Sequence, residues 1–137
     1  MLTKVTAAII VRDNTIFIAK RGPEGRFAHR WEFPCGKIEP GEKPEDCLAR
    51  EMAEEFAIEV RVGEFFTESL HTFPGGQILV LAYFCRWVGG DISPVEHEEY
   101  RWVAASELGG YDFAPADVPI AAKLMREFPG TTKATEM

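Results

Sequence analysis

Apolar positions along the chain cluster in three runs that are rich in β-branched and aromatic residues and predict β-strands over residues 5–11, 16–19 and 78–88. The polar residues 12–15 separate the first two runs, which predicts a β-hairpin. Residues 58–66 and 101–104 carry weaker strand patterns. Gly-Gly pairs stand before and after the long third run and indicate turns at both of its ends.

Two other segments repeat their apolar residues at helical spacing. In residues 44–57, Leu48, Met52 and Phe56 recur every four positions and form one apolar stripe. Residues 118–128 predict a second helix, with Asp117 as its N-cap and a Pro-Gly pair as its stop. The pattern indicates neither an internal repeat nor a linker.

Composition limits the number of domains. A chain of 137 residues with 46% hydrophobic residues can build one core but is too short for two ordinary domains. We therefore predict a single domain over residues 1–130, and a disordered tail over residues 131–137, which have little to bury. The apolar N-terminal run ends at Arg12 and Asp13, too early to span a membrane.

The charge balance excludes one class of partner. With 22 acidic and 15 basic residues the net charge is -7, which disfavours binding to a nucleic-acid polymer. It leaves open that grouped carboxylates hold a cation, which then carries a phosphate substrate. Three cysteines with no Cys-x-x-Cys pair fit neither a disulfide framework nor a zinc site, so we expect a reducing cytoplasm.

The first predicted helix places three carboxylates on one face. Glu51, Glu54 and Glu55 fall within about a third of the helix circumference and repel one another by roughly 0.2–0.5 kcal/mol per pair. One arginine, Arg50, does not neutralise them, whereas a hard divalent cation does. An acidic surface helix is the alternative. Gly36 in the preceding loop favours the cation, because glycine lets a backbone carbonyl approach it closely.

Residues 36–58 resemble the Nudix box, whose pattern is Gly, five residues, Glu, seven residues, then Arg-Glu-apolar-x-Glu-Glu-x-Gly-apolar. The matching positions are Gly36, Glu42, Arg50, Glu51, Met52, Glu54, Glu55 and Ile58. Ala57 stands where the family has glycine, so it either adopts a left-handed conformation or lets the helix end differently. Cys35 also replaces a common family glycine.

Residues 17–21, 31–34 and 113–120 are similar to segments of MutT-like nucleoside triphosphate pyrophosphohydrolases, so the resemblance covers most of the chain. It implies the Nudix fold, an α/β (α+β) class in which an α/β/α sandwich surrounds a central mixed sheet. It also implies Mg²⁺-dependent hydrolysis, with Mn²⁺ as a substitute. The substrate would be an ordinary, modified or oxidised (deoxy)nucleoside triphosphate, split into the monophosphate and pyrophosphate.

The resemblance assigns metal binding to Glu51, Glu54, Glu55 and the carbonyl of Gly36. Either Glu51 or Glu54 could also take a proton from the attacking water, while Arg50 would orient them. Relatives often add a glutamate from a loop opposite the box. In the run from Glu96 to Glu99, the first candidate is Glu99 and the second is Glu96.

The resemblance also points to residues that would contact the substrate. Arg21 would hold a phosphate, or else be a surface arginine at a strand end, and Phe33 and Phe73 are candidates to stack on a base. Asp117 matches the place of a base-reading residue. An ionised Asp117 only accepts hydrogen bonds and would favour bases with an amino group, as in the CTP pyrophosphohydrolase branch, unless its pKa is raised.

Two other functions stay open at this point. The chain could hydrolyse another nucleoside diphosphate-linked substrate, such as a dinucleoside polyphosphate or a nucleotide sugar. It could also be a catalytically silent domain that binds a nucleotide or a protein. In every case we expect a small-molecule ligand, no membrane, and a monomer or homodimer.

Overall fold

The computed structural model describes residues 1–130, and the predicted tail lies outside the described residues. The strands are β1 Leu2–Arg12, β2 Thr15–Lys20, β3 Trp31–Glu32, β4 Cys35–Lys37, β5 Glu59–Phe73, β6 Gly76–Gly89 and β7 Glu99–Val103. The α-helices are α1 Pro44–Phe56 and α2 Val118–Glu127, and two short 3₁₀ helices, Ala105–Gly110 and Pro115–Asp117, precede α2. In this part of the chain, no helix has the length and apolarity needed to cross a membrane.

The sheet is mixed, as predicted. Its main strand order is β3-β2-β1-β6-β5, with β4 paired to β1 and β7 paired to β2. β1 runs parallel to β6, and the other pairings are antiparallel. The predicted hairpin joins β1 to β2, and its turn uses Asp13 and Asn14 at positive φ.

One helix covers each face of the sheet, which confirms the α/β/α sandwich. On one face α1 buries the stripe predicted from the sequence, and Leu48, Met52 and Phe56 pack with Ile10 and Phe17. On the other face α2 buries a second set of side chains. That set packs with residues of the sheet and of the loop before α2, and it includes Ile120, Leu124, Ile9, Phe33 and Phe113.

Both helices end close to the predicted positions, but their ends differ from the prediction in detail. α1 ends at Phe56, and Ala57 adopts the left-handed conformation with φ 59° and ψ 32°. Its N–H then donates to the carbonyl of Ala53, and the Ile58 N–H to that of Met52. Asp117 does occupy the N-cap position of α2, but its side chain makes no capping hydrogen bond, so the capping prediction was wrong.

The weaker strand predictions needed the largest corrections. β5 extends to Phe73, beyond the predicted end at residue 66, and bulges interrupt its pairing with β6 between Val62 and Thr67. Most side chains of β5 are exposed or half-buried, so the apolar pattern does not mark its full length. β3 and β4 were not predicted, because strands of two and three residues are too short to show a period.

Candidate active site

The loop before α1 brings a backbone carbonyl against the acidic face of the helix. Gly36 lies in β4, opposite Thr6 of β1, and Glu51 of α1 packs directly over its Cα. A Cβ at position 36 would overlap Cγ and Cδ of Glu51 and would lie 2.7 Å from Oε1. Only glycine permits this approach, as expected if the Gly36 carbonyl and Glu51 serve the same site.

Arg50 joins the carboxylates of the predicted metal site to the loop. Its Nε and Nη2 donate to the two carboxylate oxygens of Glu42 at 2.8 and 2.9 Å, while Nη1 lies 3.0 Å from Glu51 and 3.2 Å from Glu54. Hydrogen bonds from Arg50 and from the Glu39 N–H lower the pKa of Glu42 to about 2. Glu42 therefore braces the loop, and Arg50 holds Glu51 and Glu54 in place.

A cavity of about 450 Å³ opens beside this cluster. Its charged and polar lining includes Arg21, Glu32, Cys35, Glu55, Glu96 and His97. Burial raises the pKa of Glu55, and repulsion from Glu96 and Glu51 raises it further. Negative charge is thus concentrated in the cavity, and a cation would relieve the repulsion.

The structure brings Glu96, the second candidate, to the cavity and places Glu99, the first candidate, elsewhere. Glu99 forms a 2.7 Å ion pair with Arg101, whose guanidinium lies over the Trp31 ring. Trp31 belongs to the hydrophobic cluster on the side of the sheet that α2 covers. Side chains alternate along a strand, and the next residue, Tyr100, contacts Phe17 on the α1 side. Glu99 therefore points to the sheet face opposite α1.

Arg21 lines the cavity, as the phosphate-binding prediction requires, and sequence reasoning missed its partner. Arg21 Nη1 donates to Glu32 Oε1 at 2.8 Å, and His97 Nε2 lies 2.7 Å from Glu32 Oε2. Glu32 is only 4% exposed, and it raises the pKa of Arg21 although burial opposes the charge. The signal was present in the sequence: Glu32 is a lone acid between Trp31 and Phe33.

The two predicted base-contacting phenylalanines lie in different environments. Phe33 is fully buried and stacks on Phe113 with ring centroids 5.1 Å apart, so its ring belongs to the core and offers no face to a base. Phe73 is half-buried at the end of β5. The Arg26 guanidinium lies 4.2 Å from its ring centroid, and the His71 ring stacks on it with the centroids 6.2 Å apart. None of these three residues lines the cavity.

Asp117 is buried, and its surroundings change its expected charge. Only 5% of it is exposed, and burial, with the nearby Glu32 carboxylate, raises its pKa well above the ordinary value. Arg21 and a hydrogen bond from the Phe33 N–H oppose this rise. The shift stabilises the neutral form relative to an exposed aspartate, and a neutral carboxyl can donate as well as accept.

The residues fit a hard divalent cation once Arg50 releases its partners. Within residues 1–130, no three His, Cys, Asp or Glu side chains converge closely enough to hold a metal as they stand. Arg50 pairs with Glu51 at 3.0 Å and with Glu54 at 3.2 Å, and these contacts would have to give way to a metal. The donor set of three carboxylates and the Gly36 carbonyl is all oxygen, as Mg²⁺ and Mn²⁺ prefer. The glycine-dependent approach of Glu51 to Gly36 supports the fit.

Comparison with known proteins identifies the family. A model of the NUDIX domain matches residues 2–128, nearly the whole chain. The chain belongs to the NUDIX domain family. This NUDIX protein is accordingly a hydrolase, of a family that generally depends on divalent metals and acts on small nucleoside diphosphate-linked compounds.

The matches to similar proteins extend over nearly the whole length of both chains. It is 36% identical over 124 residues to a CTP pyrophosphohydrolase of Escherichia coli K12, covering 90% of this chain and 92% of that protein. It is also 36% identical over 130 residues to a putative 8-oxo-dGTP diphosphatase 2 of Mycobacterium tuberculosis, covering 93% and 91%. The solution structure of the E. coli ORF135 protein matches with a TM-score of 0.78 at 34% identity, covering 92% and 91%.

Proposed function

We propose that this NUDIX protein hydrolyses (deoxy)nucleoside triphosphates to the monophosphate and pyrophosphate, with Mg²⁺ as its metal and Mn²⁺ as a substitute. The observation that carries the proposal is the approach of Glu51 to Gly36 beside a cavity that also contains Arg21. The relatives named as a CTP pyrophosphohydrolase and a putative 8-oxo-dGTP diphosphatase 2 support the substrate class. The enzyme acts on free nucleotides in the cytoplasm, as a monomer or homodimer.

Glu51, Glu54, Glu55 and the Gly36 carbonyl would hold the metal. Bound there, Mg²⁺ supplies charge neutralisation at the phosphate oxygens and lowers the pKa of a water for in-line attack at phosphorus. The water oxygen would form the new bond to the α- or the β-phosphorus, the bond from that phosphorus to the oxygen that bridges the two would break, and either route yields the monophosphate and pyrophosphate.

The protein side chains divide the remaining tasks. The Arg21 guanidinium binds a phosphate oxygen at the cavity wall and fixes the polyphosphate chain. A carboxylate oxygen of Glu51, Glu54 or Glu96 accepts the proton of the attacking water. Arg50 orients Glu51 and Glu54 while they are free of metal and holds the loop through Glu42.

An ionised Asp117 would select only bases that carry an amino group, and we do not expect base selection to be limited in this way. The raised pKa favours a neutral carboxyl, which can pair with bases that present a donor, an acceptor or both. We therefore propose that Asp117 contributes to base selection, although only 5% of it is exposed and it does not line the cavity, and that it accepts both cytosine and oxidised guanine nucleotides. Phe73 stays a candidate for the apolar contact because its ring is partly open to solvent, although it lies outside the lining of the cavity.

Release of pyrophosphate, measured with Mg²⁺ and a panel of nucleotides, tests the function. The panel is CTP, 5-methyl-dCTP, 8-oxo-dGTP, 2-hydroxy-dATP, the ordinary triphosphates and one nucleotide sugar. Glu54→Gln removes a proposed metal ligand at constant size, so turnover should fall by more than about 100-fold. Glu45→Gln, in the exposed first turn of the same helix, is the matched control and should leave turnover unchanged.

Two outcomes would overturn the proposal. A catalytically silent binding domain predicts no turnover for any nucleotide, so that Glu54→Gln has nothing to remove. A second possible outcome is turnover of the nucleotide sugar alone, which would assign the chain to another substrate class of the family.

A further inference from the structure

Glu32 is a buried carboxylate whose two oxygens serve two different residues of the cavity wall. Oε1 accepts from Arg21 Nη1 at 2.8 Å, and Oε2 lies 2.7 Å from His97 Nε2. Burying an ion is unfavourable unless partners compensate, and an apolar residue in this strand would avoid that cost. Core packing therefore does not explain why an acidic residue occupies position 32.

Both partners of Glu32 keep a second nitrogen without a hydrogen bond. In the described part of the chain, Arg21 Nε and His97 Nδ1 are the buried side-chain nitrogens and oxygens that lack a partner. Both residues line the same cavity. Arg Nε–H is always a donor, so it needs an acceptor, which an anionic oxygen of a bound ligand would supply.

His97 also fixes the segment that carries Glu96. The His97 ring stacks on Phe56, the last residue of α1, at 4.9 Å between centroids. The Val95 N–H donates to the Glu55 carbonyl at 3.0 Å, and the Glu98 N–H to the Lys20 carbonyl at 3.0 Å. Glu96 therefore stands between neighbours that are tied to α1, to β2 and, through His97, to Glu32.

We infer that Glu32 is a positioning residue that sets two groups of the cavity at once. Through Arg21 it aims a guanidinium at the substrate phosphates. Through His97 it holds Glu96 at the cavity opposite Glu55. The inference rests on the proposed function, since it concerns how that site is organised.

The inference predicts that Glu32 affects activity through its contacts with Arg21 and His97 together. Glu32→Gln removes the charge at constant size, and His97→Phe keeps a ring for stacking on Phe56 but removes the donor to Glu32. Each variant should lower kcat/KM by about 10–100-fold, the usual effect of removing an outer partner of site residues. The double variant should be no worse than Glu32→Gln alone, because both changes break the same contact.

A conservative replacement separates positioning from packing. His97→Gln places an amide donor near the former Nε2 and should recover most of the kcat/KM that His97→Phe loses. Glu107→Ala is the control, since Glu107 accepts a 2.9 Å hydrogen bond from the Ala104 N–H outside the cavity. It should lower the melting temperature and leave kcat and KM unchanged.

Three results would overturn the inference: unchanged kinetics in Glu32→Gln, losses that add in the double variant, or equal defects in His97→Gln and His97→Phe. If Glu32→Gln does not fold, the two His97 variants decide the question by themselves. If the wild type shows no turnover, the proposed function fails. The affinity for an α,β-methylene triphosphate with Mg²⁺ then tests the inference, which predicts weaker binding in Glu32→Gln.

Discussion

Replacing Gly36 by alanine tests the geometry of the site with one methyl group. The new Cβ would overlap Cγ and Cδ of Glu51 and would lie 2.7 Å from Oε1, whereas ordinary contact begins at 3.4 Å. Because Gly36 is not among the residues at positive φ, alanine fits the backbone there, and the clash with Glu51 is what the substitution adds.

The size of the effect follows from the displacement. Glu51 has to move by at least about 1 Å, and a misplacement of that size can lower the rate by about 100-fold. This loss corresponds to about 2.7 kcal/mol of transition-state stabilisation. The same movement takes Glu51 Oε1 away from Arg50 Nη1, which lies 3.0 Å from it in the unchanged protein. The substitution is therefore expected to weaken this ion pair as well as to lower the rate.

The assay is pyrophosphate release at saturating Mg²⁺, with kcat and KM measured separately. Gly110→Ala is the neutral control, because nothing lies within 4 Å of its added Cβ. Gly41→Ala is the stability control, because φ is +79° and the added Cβ meets no neighbour. Gly41→Ala should melt earlier with normal turnover, whereas Gly36→Ala should fold and turn over slowly. A Gly36→Ala enzyme with wild-type kcat and KM would refute the reasoning.

Three further substitutions test single features. Ala57→Gly relieves a left-handed alanine and should raise the free energy of unfolding by about 1 kcal/mol in denaturant titrations; an unchanged midpoint would contradict this. The raised pKa of Asp117 gives stability that is present below about pH 4 and lost as pH rises toward the folded-state pKa. The melting temperature of Asp117→Asn, relative to wild type, should therefore increase from pH 4 to 7, and a constant difference would count against the buried carboxyl. Arg50→Lys loses the two-pronged contact with Glu42 that holds the loop, so kcat should fall, and unaltered kinetics would rule out this role of Arg50.

The fold was predictable where burial imposes a period. The stripe of Leu48, Met52 and Phe56 marked α1, and the apolar runs marked β1, β2 and β6. The far half of β5 was not predictable, because its side chains are mostly exposed and follow no alternation. The short β3 and β4 form because their neighbours β2 and β1 offer partners, which is a tertiary cause with no local signal.

The candidate site was predictable where the chemistry is local in sequence. Glu51, Glu54 and Glu55 share a helix face, so their spacing alone predicts a common site, although their side chains do not converge within residues 1–130. Glu96 and Glu99 lie too close in sequence for spacing to tell them apart, and the strand alternation of β7 decided which one faces away. Glu32 was missed because its partners, Arg21 and His97, lie in other segments, and only the fold makes them neighbours.

Arg50 has a consequence for the proposed metal site. The guanidinium serves as an internal counter-ion for Glu42, Glu51 and Glu54, so the chain can fold without waiting for a cation. At the proposed metal site an incoming ion would compete with this resident charge, and Arg50 would therefore weaken the binding of the free ion. A nucleotide that arrives with its own Mg²⁺ contributes phosphate ligands of its own and meets a smaller barrier. Under the proposed function, the protein would therefore take up its metal together with the nucleotide and bind the free ion only weakly.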